Sequence, residues 1–278
     1  MINKKTANKL NQISFYLKKK ILEISFKKKS HHIGSCLSCI DILVSLYFSI
    51  MRINLKNKTN NDLFIMSKGH AALAYYLVLM KKKFFSENYL FKNFLSNNGR
   101  LGGHPDRNEK LGINYCSGSL GQGISVGCGL ALNYYKKRIK KNVFVLIGDG
   151  ECNEGMVWES MLFAAHHKLN NLYTIIDYNK LQGLGSTTSI LNLESLKNKI
   201  QSFNWNVVEC DGHNIEKIIK SFKKLKSSNK NKPNLLIAHT IKGKGVSFME
   251  NKFESHYEVL DTKSFLMSIN DKKLSKKN

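Results

Sequence analysis

Residues 143–179 constrain the fold more than any other stretch of this chain. Val143-Phe144-Val145-Leu146-Ile147 is a run of β-branched and aromatic residues, the pattern of a strand buried on both faces. It ends abruptly in Gly148-Asp149-Gly150. A helical segment over 154–167 follows, and then a second apolar strand over 172–177 that runs into Tyr178-Asn179. Strand, helix, strand at this spacing is a right-handed crossover between parallel strands.

The rest of the chain extends that unit. The spacing predicts helices over 7–26 and 37–51, the latter with Ile40, Leu43, Val44 and Tyr47 on one face. A short strand over 63–66 meets the turn Ser67-Lys68-Gly69-His70, which opens an apolar helix over 71–80. Residues 118–135 read as a glycine-rich helix entry. Beyond Asn179, helix, strand, helix and strand are expected near 193–203, 206–209, 215–226 and 235–238. No internal repeat and no Pro/Gly/Ser linker divides the sequence. The expectation is an α/β fold with a parallel sheet and helices on both faces, one domain over 1–260, and a polar basic C-terminal tail over 261–278.

In an open parallel sheet, ligands bind at the carboxyl ends of the strands. Asp149 and Asn179 both fall there. One carboxylate and one amide oxygen cannot hold Mg²⁺ alone, but they are a good partial shell when phosphate oxygens and water supply the rest. Gly148 and Gly150 let the backbone approach a diphosphate, and the helix after Asn153 aims its free amides at it. A bare Gly-Asp-Gly is more often only a turn. The Asn thirty positions on, across a strand–helix–strand unit, shifts the balance toward a site.

The formal charge of +24 suggests nucleic acid, but its make-up argues otherwise. Only four of the 44 basic residues are Arg (Arg52, Arg100, Arg107 and Arg138). Base and phosphate recognition favours the bidentate fork of Arg. The lysines are spread along the whole chain with much Asn, Ile and Phe, as an AT-rich coding sequence would produce, so no nucleic-acid partner is expected. Of six cysteines, Cys36 and Cys39 form a C-x-x-C inside an apolar helical pattern with no second pair to complete a zinc site. Reduced, mostly buried thiols are expected. No stretch approaches the roughly 20 apolar residues of a membrane helix. The first residues lack a signal-peptide core, which points to the cytoplasm.

Seven segments in order make the sequence resemble transketolases. They are Ser30-His31-His32-Ile33-Gly34, Ser67-Lys68-Gly69-His70, Gly103-His104-Pro105, Gly118-Ser119-Leu120-Gly121-Gln122-Gly123, Gly148-Asp149-Gly150-Glu151 with Asn179, Asp211-Gly212-His213, and Lys242-Gly243-Lys244-Gly245-Val246-Ser247-Phe248-Met249. The resemblance implies the diphosphate-binding domain of a thiamine-diphosphate fold, and no segment resembles the family's pyrimidine-binding domain. It implies Mg²⁺, with Ca²⁺ or Mn²⁺ able to replace it, on Asp149, Asn179 and the carbonyl of Leu181. His70, Gly150, Asn179 and His256 would contact the diphosphate, and Gly118, Ser119 and Leu120 would lie along the cofactor rings. Glu154 and Glu159 would sit on a subunit contact near the cofactor. His32, His104 and His256 would serve catalysis at the sugar hydroxyls, while His31, His166, His167, His213 and His239 are left structural. Two positions depart from the family pattern: His31 replaces a small residue, and Tyr257 replaces a Gly.

The implied activity is transfer of a two-carbon ketol unit from a ketose phosphate to an aldose phosphate, in the pentose phosphate pathway. It would require a partner chain, the C-terminal transketolase subunit, with two copies of each. Another thiamine enzyme half, like deoxyxylulose-phosphate synthase or a dehydrogenase E1 component, is the alternative enzyme, and a non-catalytic binding remnant is the alternative of another class.

Overall fold

The computed structural model describes residues 3–57 and 60–275. In chain order the helices are α1 (Lys4–Lys28), α2 (Ile33–Ser45), α3 (Ala72–Lys81), α4 (Glu87–Asn93), α5 (Gln122–Lys136), α6 (Gly155–His166), α7 (Thr187–Ile190), α8 (Leu196–Ser202), α9 (Ile215–Ser227), α10 (Thr262–Ile269) and α11 (Lys272–Ser275). The strands are β1 (Leu63–Met66), β2 (Val143–Gly148), β3 (Leu172–Tyr178), β4 (Asn206–Asp211) and β5 (Asn234–His239). They form one sheet in the order β1-β2-β3-β5-β4, with every pairing parallel.

Alternation along the strands splits the core into two layers. Phe144, Leu146, Tyr173 and Ile175 face α1, α2, α3 and α9, while Val143, Val145, Ile147 and Ile176 face α5, α6 and α8. Both faces of the sheet are covered, which is why β2 and β3 read as unbroken apolar runs. Helix α9 shows the opposite pattern, because one side meets water. Ile215, Ile218, Ile219, Phe222 and Leu225 are buried at helical spacing, and lysines fill the outer face. Its N-cap Asn214 accepts a 3.0 Å hydrogen bond from the Lys217 amide.

Three expectations need correction. The helix expected over 37–51 starts at Ile33, and its last turn, Leu46–Ile50, is a π-helix. Every residue of α2 is buried, so no exposed polar face marks its start. That same stretch, Ile33–Ile50, is long and apolar enough to cross a membrane, contrary to the expectation that none is. Here 89% of it lies inside the fold, as the central helix of the first layer. Finally, residues 261–275 are not a loose tail. Asp261 caps α10 through a capping box, and the Phe265 ring stacks on Phe26 of α1 at 4.4 Å. Leu274 of α11 is also buried. Ile269 also packs on the core, Asp271 accepts hydrogen bonds from Ser247, and Lys273 pairs with Glu250, so the segment docks although most of its residues are polar; residues 276–278 lie outside the described residues.

Candidate active site

Because Gly148 pairs with Asp177 in register, Asp149 and the segment after Tyr178 emerge side by side at the carboxyl end of the sheet. The buried carboxylate of Asp149 accepts a 2.7 Å hydrogen bond from the Gly150 amide and another from the Lys180 amide. Burial, and then the neighbouring Asp177, push its pKa up to about 7. A carboxylate so placed calls for a cation. The Asn179 amide oxygen accepts from the Leu181 amide at 3.0 Å, and its nitrogen donates to Ser38 at 3.2 Å. Asp149, Asn179 and the Leu181 carbonyl are thus gathered at one place. Among the described residues no group of three or more His, Cys, Asp or Glu side chains could hold a metal by itself. A divalent cation here would need oxygens from a bound anion and water.

Two side chains show that an anion fits beside it. Lys242 is buried, yet among the described residues its ammonium hydrogen-bonds only the carbonyl oxygens of Leu181 and Gln182, at 3.3 and 3.5 Å. Burial, and then the nearby Lys68 charge, pull its pKa down to about 8. A buried ammonium with no carboxylate against it is costly unless a ligand supplies the negative charge. The Gln182 side chain covers Gly150, and its amide nitrogen is buried without a partner among the described residues. Thiamine diphosphate with a divalent cation matches these demands: phosphate oxygens for Lys242 and Gln182, and a cation for Asp149. One expectation follows. Lys242→Met should weaken diphosphate affinity by about 10-fold or more and leave the apoprotein at least as stable. Calorimetry and urea unfolding would show both, and unchanged cofactor affinity would remove Lys242 from the site.

Lys68 is different, because Asp177 answers it inside the core. Burial opposes the charge of Lys68, but the Asp177 carboxylate more than offsets it and raises the pKa. Asp177 also accepts hydrogen bonds from Ser38 and Thr240. The pair fixes the Ser67-Lys68-Gly69-His70 turn against the end of β3.

On the other side of that turn four histidines meet. The His32 ring lies 4.6 Å from that of His256, 5.6 Å from His70 and 6.1 Å from His104. His32 occupies the left-handed region at φ 66° as N-cap of α2, and its amide donates to the His256 carbonyl at 3.0 Å. Burial pulls the His32 pKa down to about 4, burial and Lys242 pull His256 down to about 3, and burial and Lys68 hold His70 well below the usual range. These three rings are neutral near pH 7 and can each donate one hydrogen bond and accept another. His32 Nδ1 is buried without a partner among the described residues, a polar atom left for a ligand. His31 does not crowd the cluster: its ring turns outward, with Nδ1 2.5 Å from the Tyr257 carbonyl oxygen.

A buried carboxylate ties the loops together. Glu151 accepts from the Ser67 hydroxyl, from the Gly121 amide at 2.9 Å and from the Gly148 amide at 3.1 Å. It joins three segments that the chain brings from positions 67, 121 and 148. Gly118, Ser119 and Leu120 lie exposed beside this joint, and a β-carbon on Gly118 would meet nothing within 4 Å. Gly121 takes φ 83°, and a β-carbon there would stand 2.7 Å from Cβ of Glu154. Leu120, just before α5, and Val126, Met156, Leu162 and Phe163 on α5 and α6 are all exposed, from 37% for Leu120 to 58% for Leu162, with Glu154 at the N-cap of α6 and Glu159 within it exposed as well.

Asp149, Asn179, Leu181, His32, His70, His104 and His256 are thus brought together near the carboxyl end of the sheet. Lys68, Lys242 and Glu151 join them from within the matched segments but without an assigned role, and Gln182 from outside those segments. A lysine carries no signal in so lysine-rich a chain, and the burial that sets these residues apart is a tertiary property. Of the histidines left structural, His213 is buried between Asp41, at 2.9 Å from Nδ1, and the Ile241 amide, at 2.8 Å from Nε2. It braces the segment that carries Lys242.

The fold and the site define a thiamine-diphosphate-binding domain. A family model, transketolase, thiamine diphosphate binding domain, matches residues 16–268. The chain is 39% identical over 269 residues to an apulose-4-phosphate transketolase subunit of Phocaeicola vulgatus, covering 94% of each. It is 37% identical over 243 residues to a 6-deoxy-6-sulfo-D-fructose transketolase subunit of a Clostridium species, covering 86% of this chain and 87% of the relative. The solved transketolase of Campylobacter jejuni superposes with a TM-score of 0.83 at 28% identity, over 95% of this chain and 42% of that one. The chain belongs to the transketolase family, as its thiamine-diphosphate-binding N-terminal part, and spans about two-fifths of that solved enzyme. Its relatives of matching length are subunits of transketolases, which are transferases and not the other thiamine enzymes left open by the sequence.

Proposed function

We propose that this chain is one half of a two-chain transketolase that moves a two-carbon ketol unit between sugar phosphates of the pentose phosphate pathway. The observation that carries this reading is the meeting of four histidines next to a buried Asp149–Asn179 pair and an unanswered Lys242. Asp149, Asn179 and the Leu181 carbonyl would hold Mg²⁺, and Lys242, Gln182, His70 and the Gly150 backbone would hold the diphosphate. When bound, thiamine diphosphate supplies the carbanion and electron sink on which the ketol unit is carried. Gly118, Ser119 and Leu120 would bound the space for the rings. His32, His104 and His256 would hold the sugar's hydroxyl and carbonyl oxygens and move protons there, a task suited to neutral imidazoles. The reading also assigns the enzyme to the cytoplasm, in keeping with six free cysteines.

The partner would supply the groups around the aminopyrimidine. The relatives named as subunits, and the apolar face on α5 and α6, support this. Two copies of each chain would close the assembly symmetrically.

His104 gives the most selective test of the substrate side. It is exposed, with its ring 6.1 Å from that of His32. His104→Ala should lower kcat/KM about 100-fold while cofactor affinity stays as it was. Collapse of cofactor affinity with normal turnover at saturation would contradict the assignment.

A further inference from the structure

Five rings stand within 6.3 Å of the His32 ring, and four of them are the imidazoles of His31, His70, His104 and His256. The fifth is the phenol of Tyr257, at 6.3 Å. Tyr257 is 53% exposed, so the hydrophobic effect does not account for its position. What holds it is local. Its ring stands edge-on to His256 at 4.7 Å, its carbonyl oxygen meets the ring of His31, and its hydroxyl lies against Gly183. A β-carbon built on Gly183 would be 2.5 Å from that hydroxyl, so the phenol occupies space that only a glycine leaves. Tyr257 thereby crosses from the segment carrying His256 to the loop that follows Leu181. It bridges two segments beside His32 and His256.

We infer that Tyr257 is a specificity-determining residue, a wall at one end of the sugar channel that favours short ketose donors over long ones. The inference rests on the transketolase reading above. A ring standing beside His32 and His256 meets whatever part of the sugar extends past those two imidazoles. A ketose with more carbons has more chain to place there, and the ring is braced on both sides and cannot swing away cheaply. Related two-chain enzymes carry names with chemically different substrates, apulose 4-phosphate and 6-deoxy-6-sulfofructose, so the shared site leaves room for such local selectors. Differences of a carbon or so against a rigid wall are worth about 10- to 200-fold in kcat/KM.

The test compares xylulose 5-phosphate with sedoheptulose 7-phosphate as donors for the assembled two-chain enzyme, in wild type, Tyr257→Ala and Tyr257→Phe. Tyr257→Ala should raise the seven-carbon to five-carbon ratio of kcat/KM by about 10-fold, with unchanged cofactor affinity and Tm. Tyr257→Phe, which keeps the ring, should retain the wild-type ratio. Gly183→Ala, which displaces the phenol, should shift the ratio in the same direction as Tyr257→Ala. An unchanged ratio in Tyr257→Ala, or Phe moving it as far as Ala does, would overturn the inference. Absence of ketol transfer from the wild-type assembly would overturn the functional reading, and this inference with it.

Discussion

Asp149→Ala should abolish metal-dependent binding of thiamine diphosphate while leaving the fold largely intact. Among the described residues, Asp149 is the carboxylate that the proposed cation would use. Asp177, the nearest alternative, is already committed to Lys68, Ser38 and Thr240. Removing a direct ligand should cost more than the roughly 10- to 100-fold typical of an outer-shell partner, which puts the loss beyond about 100-fold. The fold should tolerate the change for a physical reason. Two backbone amides, of Gly150 and Lys180, lose their acceptor, at about 1–3 kcal/mol each when buried. Against that, the mutation removes a buried carboxylate whose charge both burial and Asp177 oppose. Asp149→Asn separates the two effects, since it keeps a side-chain acceptor and discards the charge. It should bind cofactor as poorly as the Ala variant and unfold at nearly the wild-type urea concentration. Calorimetry with thiamine diphosphate and Mg²⁺ on the assembled enzyme is the measurement, and wild-type affinity in either variant would remove Asp149 from the metal site.

The part of this arrangement legible in the sequence is the part written in local pattern. The β2–α6–β3 unit shows as two apolar runs separated by a helix, and Asp149 and Asn179 follow from their place at the strand ends. The histidines are another matter. They come from four separated segments, and no periodicity relates residue 32 to residue 256, so only the resemblance to a family put them together. The buried groups that hold the site were legible only as members of matched segments, not in their roles. Glu151 gathers three loops by hydrogen bonds to Ser67, Gly121 and Gly148, none of which is near it in sequence except the last. Lys242 opens a matched segment, but only its burial sets its role apart from that of other lysines. The docking of α10 rests on Phe265, stacked on Phe26, and on Ile269, in a segment whose composition alone signals a tail.

This chain should show no ketol transfer by itself and full transfer with a partner chain that supplies a pyrimidine-binding domain. The diphosphate end of the site is well built here: Asp149, Asn179, Lys242 and Gln182 converge at one place. The opposite side is open. Gly118, Ser119 and Leu120 face outward, and α5 and α6 carry Val126, Met156, Leu162 and Phe163 beside them with apolar side chains exposed. Stable protein interfaces bury about 800 Å² per partner around an apolar centre, and these residues form such a centre next to the cofactor position. A cofactor held at its diphosphate and left in water at its rings would lack the dry, oriented surroundings that make its carbanion accessible. The difference between the chain alone and the assembly should therefore be all-or-none, not a modest change in rate. The decisive measurement is ketol transfer from a ketose phosphate, together with mass in solution, for the purified chain alone and for the chain mixed with its candidate partner. Activity confined to the mixture, in a particle containing both chains, is the expected result; full activity from this chain alone would contradict it.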